Sequence, residues 1–351
     1  MVKVPLRQKL CIVLPNTGHG FIGMTIAAGM LKYYTDYVGI SPILFGIAYF
    51  FMTILQAFNE PFFGYHLTKM RPKQGKGKFK KIMLGTAPII FLAFLIIVTM
   101  SPSWSQITLF IVLIAGLFLY STSKILFFAS LNGLNANVTD DLDERAKINT
   151  LNTYFNQIPG AILGMVPLVF LSGEYSYEFI LIGLLILGVI GAITMLTASY
   201  FIKERNEWYE NIPEPMSPIK AVKECVKAKG WLIFIAFSMC NSIPHAMFGV
   251  SLVYYLGDVF GVWGFWAILP GAIGGGLQMI AMYPLILRIR NKIGTYQTMI
   301  IFQIIHFIGF MGFFLAKNYW TMVKWRTKRL LFWIWRSAWC RKNIFSKKRY
   351  C

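Results

Sequence analysis

Apolar residues fall along this chain in long, nearly unbroken blocks separated by short polar stretches. The blocks run to about 20 residues or more, the length a helix needs to cross roughly 30 Å of hydrocarbon. Nine are read, at 10–34, 41–66, 82–101, 106–136, 149–172, 177–201, 231–256, 262–287 and 295–316. A transmembrane β-barrel would show alternating segments of about 10 residues instead. The expected fold class is therefore all-α: a polytopic membrane protein with about nine transmembrane helices, six in an N-terminal half and three in a partial second half. Composition agrees. Of 351 residues, 56% are hydrophobic and 14% charged, too few charges to cover a soluble domain of this size.

The net charge of +20 would suit a nucleic-acid binder, but its placement follows membrane topology. The loop after the second block carries Lys69, Arg71, Lys73, Lys76, Lys78, Lys80 and Lys81. Arg145 and Lys147 follow the fourth block, a basic cluster from Lys203 to Lys229 the sixth, and Arg288, Arg290 and Lys292 the eighth. The intervening loops at 35–40, 102–105, 173–176 and 257–261 carry no Lys or Arg. Positive residues stay inside, so a multi-pass protein of the cell membrane with a cytoplasmic N-terminus (Lys3, Arg7, Lys9) is expected, in contact with lipid and not with nucleic acid. The first block runs straight into a full span with no small-residue cleavage site, unlike a signal peptide. Five scattered cysteines suggest neither a disulfide framework nor a zinc site.

An internal repeat sharpens the organisation. Tyr33-Tyr34, then Asp36, Val38 and Gly39, closes the first block; Tyr254-Tyr255, then Asp258, Val259 and Gly261, closes the seventh. The offset is 221 at the tyrosines and valine and slips by one at the aspartate and glycine; it also carries Lys69 onto Arg290. Two parallel halves of six spans are the pattern of major facilitator transporters. The expected domains are a six-helix bundle at 1–201, a cytoplasmic linker at 202–230 with a short amphipathic helix around Ile219–Ala228, a three-helix partial bundle at 231–317, and a basic aromatic tail at 318–351. Residues 324–351 hold ten Lys or Arg, no acid, and no uncharged run of spanning length. That tail fits either an amphipathic anchor on the membrane or, as favoured here, a change of reading frame near Val323 that replaces three native spans.

Two stretches carry a resemblance. Phe58-Asn59-Glu60-Pro61 with Gly64 resembles the Asn-Asp-Pro signature of the glycoside–pentoside–hexuronide:cation symporters, the melibiose permease family. Leu131-Asn132-Gly133-Leu134-Asn135-Ala136 and Thr139-Asp140-Asp141-Leu142-Asp143-Glu144-Arg145 resemble that family's loop after the fourth span, and Tyr33–Asp36 and Gly77-Lys78-Phe79-Lys80 match more weakly. The resemblance implies a twelve-span fold that couples sugar uptake to sodium or protons; related branches move lysophospholipids, so fold alone names no substrate. It also implies a gating role for Asp140, Asp141, Glu144 and Arg145, with Arg145 paired to carboxylates when the inner face is closed. A solvated loop capping the next helix is the plainer account.

The family's acidic positions are mostly replaced: Gln56 stands one turn before the signature, His19-Gly20 in the first span, Phe128 in the fourth, and Asn152 at an arginine position. Glu60 remains, about 9 Å in from His66 by helical rise. A carboxylate in hydrocarbon is paired, protonated or hydrated, and so a functional candidate. Thr53, Gln56 and Asn59 extend a polar stripe with it, and Pro61 leaves the carbonyl of Ala57 free. The group suits a coupling ion, sodium or, with one carboxylate, more readily a proton; a structural ion pair is the alternative. Lys124 in the fourth block either pairs with Glu60 or snorkels to an interface.

Asn16 and His19 in a polar, flexible segment of the first block, and Asn241, His245 and Tyr254 in the seventh, are candidate solute-binding groups in helices expected to be broken around a central site. Structural histidines and interfacial aromatics are the alternatives. Ile273-Gly274-Gly275-Gly276 lacks the strand and Lys-Ser/Thr of a phosphate loop. No paired catalytic acids, nucleophile–base set or metal-ligand cluster appears in the sequence, so neither catalysis nor a cofactor is expected. The expected function is secondary transport of a small polar solute, a sugar or glycoside, by alternating access; the competing readings are a non-transporting scaffold or truncated remnant, and a transporter of lysophospholipid-type lipids.

Overall fold

A computed structural model describes residues 4–26, 31–70, 77–139, 141–163, 175–204 and 217–262, with isolated positions between 266 and 307. Among them the regular structure is helical: α1 (Leu6–Ile26), α2 (Pro42–Lys69), α3 (Phe79–Val98), α4 (Gln106–Asn137), α5 (Leu142–Leu163), α6 (Tyr177–Phe201), α7 (Pro218–Lys227) and α8 (Lys229–Tyr254). Of these, α2, α3, α4 and α6 are long and apolar enough to cross a membrane. The expected span at 262–287 lies almost wholly outside the described residues and the tail at 318–351 wholly so, while in the span at 295–316 the described positions, between 297 and 307, are helical. The chain divides into two compact units, Met1–Leu163 with Gly173–Val250, and Gly164–Ser172 with Ser251–Cys351.

Helices form here because a backbone in hydrocarbon must satisfy its own N–H and C=O groups. Their ends depart from the apolar blocks where polar groups cap them. α3 starts at Phe79, before the block at 82, because Glu204 accepts the N–H groups of Lys78, Phe79 and Lys80 at 3.0, 3.1 and 3.0 Å. That carboxylate sits on the positive end of the helix dipole. The Lys78 ammonium donates to the Leu67 and Met70 carbonyls at 2.8 and 2.9 Å, closing α2. α5 likewise starts within the charged block, at Leu142, so from that residue on the block is helix, with Thr139 and Asp141 before it.

Contacts between helix ends fix the direction of each span. At one face Gln8 and Lys203 exchange two hydrogen bonds, tying the start of α1 to the residues after α6. The end of α2 and the start of α3 meet at Lys78 on the same face, as do the end of α4 and the start of α5 at Arg145. At the other face Gln106, which opens α4, binds the Gly39 carbonyl and the Ser41 N–H beside α2. Tyr33 and Tyr177 donate there to the carbonyls of Val98, the last residue of α3, and Met100, just past it, at 3.0 and 2.8 Å, with their rings stacked. The first unit is thus an alternating bundle in which α1 packs on α5 and α6, α3 on α4 and α6, and α2 on α4.

Two glycines set the tightest crossing. A Cβ added to Gly18 would lie 2.6 Å from the Gly191 carbonyl oxygen, and one added to Gly191 would lie 2.6 Å from that of Gly18. α1 and α6 therefore touch backbone to backbone, the close approach that small residues allow between membrane helices. The segment at Pro15–Gly20, expected to be flexible, is regular helix within α1, and α8 is continuous through Pro244. Each proline removes one hydrogen bond without ending its helix, and in α1 the adjacent glycine is clamped against α6.

The repeat is present in the backbone with a corrected register. Tyr33–Tyr37 and Tyr255–Val259 are π-helical turns. Val38 N–H binds the Tyr33 carbonyl and Ile40 N–H that of Tyr34; Phe260 N–H binds the Tyr255 carbonyl and Val262 N–H that of Leu256. Gly39 and Gly261 adopt positive φ of 81° and 65° in the two turns. Every pair is separated by 222 residues, the spacing of the aspartates and glycines, so the doubled tyrosines align one position off.

Gly191→Ala is expected to destabilise the detergent-solubilised protein by about 1–3 kcal/mol, because the obstructing atom is backbone. Gly46→Ala, where a Cβ meets nothing within 4 Å, is expected to leave stability unchanged or raise it. Equal thermal midpoints for the two variants would remove the α1–α6 crossing as the tight contact.

Candidate functional site

Asn16 and His19 lie one turn apart on α1 and reach different neighbours. Asn16 Nδ2 donates to Asn152 Oδ1 on α5 at 2.8 Å, and Thr17 Oγ1 donates to the Phe155 carbonyl at 3.2 Å. His19 Nε2 is 2.8 Å from the Tyr120 hydroxyl on α4, and its ring meets Phe128 edge-on at 4.7 Å. Gly23, the next turn of α1, makes room for that pair: a Cβ there would lie 2.9 Å from His19 Cε1 and 3.0 Å from the Tyr120 oxygen. Three helices, α1, α4 and α5, are joined by these hydrogen bonds.

Further along α4, Ser121 and Ser123 are buried and Lys124 half-buried. The Ser121 and Thr122 hydroxyls have no hydrogen-bond partner among the described residues. Lys124 makes no ion pair with a described carboxylate; the Glu60 charge acts on it without contact. The expected α2 stripe is not sunk into the first unit. Gln56 and Asn59 are half-buried, whereas Thr53 and Glu60 are exposed on it, and Thr53 Oγ1 donates to the Tyr49 carbonyl of its own helix. α2 turns most of its length outward from this unit, with Phe58 73% and Phe62 53% exposed.

The charged block at the start of α5 is built differently from the expected latch. Glu144 is 4% exposed and is met by Lys9 from α1 at 2.6 Å and by Lys147 at 2.7 Å. Arg145 is ion-paired with no carboxylate among the described residues: its Nη2 donates to the Ala136 and Thr139 carbonyls at 2.9 and 2.8 Å, closing the end of α4. Those carbonyls are the unsatisfied end of a helix, which a guanidinium fork serves well. Asp141 N–H binds Thr139 Oγ1 at 3.2 Å. Hydrogen bonds from Lys147 and Lys9 hold the Glu144 carboxyl down to about 2, against the opposing push of burial. Asp140 lies outside the described residues, as do the side chains of Asn241, His245 and Tyr254 on α8.

Tyr120, Gly23, Lys9 and Glu204 were not singled out as partners from sequence. Tyr120 adjoins the polar run at 121–123, which is a signal; Lys9 and Glu204 find partners more than a hundred residues away. Among the described residues there is no group of three or more His, Cys, Asp or Glu that could hold a metal ion.

An all-helical bundle with apolar spans and polar groups facing between its helices defines a multi-pass membrane protein. Residues 11–325 match the family described as MFS/sugar transport protein, and the chain belongs to that family, one of transporters and not of enzymes. It is similar to "Putative glycoside/cation symporter YagG" of Escherichia coli (strain K12), at 24% identity over 265 residues, 73% of this chain and 55% of that protein. The chain thus spans about half the length of that curated relative.

Because the folded-state carboxyl of Glu144 lies below its ordinary value of 4.5, its contribution to stability is full above that value and is lost as pH falls toward about 2. Glu144→Gln is expected to flatten this part of the thermal midpoint against pH, and Lys9→Met to move the loss to higher pH. A Glu144→Gln profile parallel to that of the unaltered protein across this window would show that the bridge is not formed.

Proposed function

We infer that the chain is a secondary transporter that carries a small polar solute, a sugar or glycoside, across the cell membrane by alternating access. Its basic face, where α1 begins, is read as cytoplasmic. The observation that carries the reading is the pair of neutral bridges from α1, Asn16 to Asn152 and His19 to Tyr120. These are donors and acceptors of the kind that hydroxyl groups of a solute can replace one for one, and they lie in a member of a sugar-transport family. The similar glycoside/cation symporter supports the same solute class and coupling to a cation.

Glu60 is the proposed coupling group, with Asn59, Gln56 and Thr53 beside it. A single carboxylate compensates a sodium ion poorly, so a proton is the preferred coupling ion. Lys124 on α4 lies within the electrostatic reach of Glu60 but not in contact with it. In this scheme Glu144, Asp141 and Arg145, with Asp140, hold the basic face closed, and the Lys9–Glu144 bridge is the bond that must open.

Reconstituted in vesicles, Glu60→Gln is expected to abolish uptake driven by a proton gradient while leaving solute exchange at equilibrium. Uptake by the variant that still responds to the gradient would remove Glu60 from coupling. Failure of the unaltered chain to exchange any sugar or glycoside would remove the transport reading itself.

A further inference from the structure

α7 lies outside the membrane-crossing set, and its surface has no role in the function above. It is ten residues long, opened by Ser217 and Pro218 and ended at Ala228. At 100° per residue, Ile219, Val222, Cys225 and Val226 with Ala221 share one side, and Lys220, Lys223, Glu224 and Lys227 the other. The apolar side is uncovered: Ile219 is 84%, Val222 55% and Val226 56% exposed. Lys227 pairs with Glu224 at 2.8 Å, while Lys220 and Lys223 have no ionic partner among the described residues.

The position of α7 limits what can cover that side. α8 begins one residue beyond the C-cap, with Trp231, Leu232, Ile233 and Phe234 all exposed in its first turns. Trp231, stacked on Phe234, is the residue type that marks the headgroup level of a bilayer. Lys227 precedes it by four residues, across the Ala228 break between the two helices. α7 also touches α2, itself a membrane-crossing helix. A short amphipathic helix with three lysines against one glutamate, held at the height of an interfacial tryptophan, has the charge and polarity of a surface-bound helix.

We propose that α7 docks on anionic phospholipid, its Ile219–Val222–Val226 side set into the headgroup boundary and Lys220, Lys223 and Lys227 on the lipid phosphates. The docked helix fixes the height at which α8 begins. The inference concerns lipid and is independent of which solute is carried.

Cys225 supplies a native probe on the apolar side, exposed in the folded chain. In the full-length chain with Cys11, Cys240, Cys340 and Cys351 changed to Ser, a polarity-sensitive fluorophore is attached to Cys225. The protein is then reconstituted in phosphatidylcholine vesicles with or without phosphatidylglycerol. With the anionic lipid, the emission is expected to shift to the blue, acrylamide quenching to fall and quenching by brominated lipid to rise, and added salt to reverse all three. Changing Lys220, Lys223 and Lys227 to Gln is expected to weaken docking by roughly fivefold per lysine. Ile219→Ser with Val226→Ser is expected to leave the probe in water while α8 remains inserted. A probe equally open to acrylamide in both vesicles overturns the proposal. So does a probe shielded from both quenchers in detergent and vesicles alike, which would mean protein covers that side. Brominated-lipid quenching that ignores lipid charge overturns the anionic assignment.

Discussion

Where α1 passes α6, the carbonyls of Gly18 and Gly191 lie against each other's helices with no side chain between them. In hydrocarbon, burial gives helices little reason to associate, and close van der Waals packing must replace it. A backbone contact is the closest packing available, and it fixes both the rotation and the height of α1. Asn16 and His19 flank Gly18, so the same contact decides which way their side chains project. Given that rotation, Asn16 meets α5 and His19 meets α4, and Gly23 clears the space for the His19–Tyr120 pair. A larger residue at position 18 or 191 would displace the polar groups together with the helix.

The basic face is held by a second kind of constraint. Helix ends there leave unpaired N–H and C=O groups, and charged side chains from distant parts of the chain serve them. The tetrapeptide Gly77–Lys80 shows how closely the pieces interlock. Glu204 occupies the space where a Gly77 side chain would stand, Lys78 serves α2, and the Phe79 ring fills the space left by Gly133 on α4. Lys80 lies over the Tyr200 ring at 5.4 Å. Arg145 does for α4 what Lys78 does for α2. Charge concentrated on one face thus completes the helices that end there.

Much of this was legible in the amino-acid order, because burial in lipid writes itself into long apolar runs. α2, α4 and α6 begin and end within a few residues of the blocks that announced them. Polar capping was harder to read. The charged residues at 142–148 look like loop by hydropathy, yet they form the first turns of α5 because Lys9 compensates Glu144. Pairings such as Asn16 with Asn152, 136 residues apart, leave no mark on local periodicity. The repeat was visible as residue identities but slipped by one register, since the conserved object is a turn geometry. Its glycines have no steric substitute at positive φ, whereas the tyrosines do.

The polar groups inside the first unit fall into two sorts, and the difference bears on how such a protein could work. The α1 bridges are neutral and complete, so opening them to a hydroxylated solute exchanges one set of hydrogen bonds for another of similar strength. That exchange can be nearly balanced in free energy, which suits a site that must both take and release its cargo. Glu60, exposed on α2, and Lys124, half-buried on α4, belong to the other sort and do not touch. In the proposed scheme, binding therefore falls to the α1 bridges and coupling to Glu60, which lies outside them.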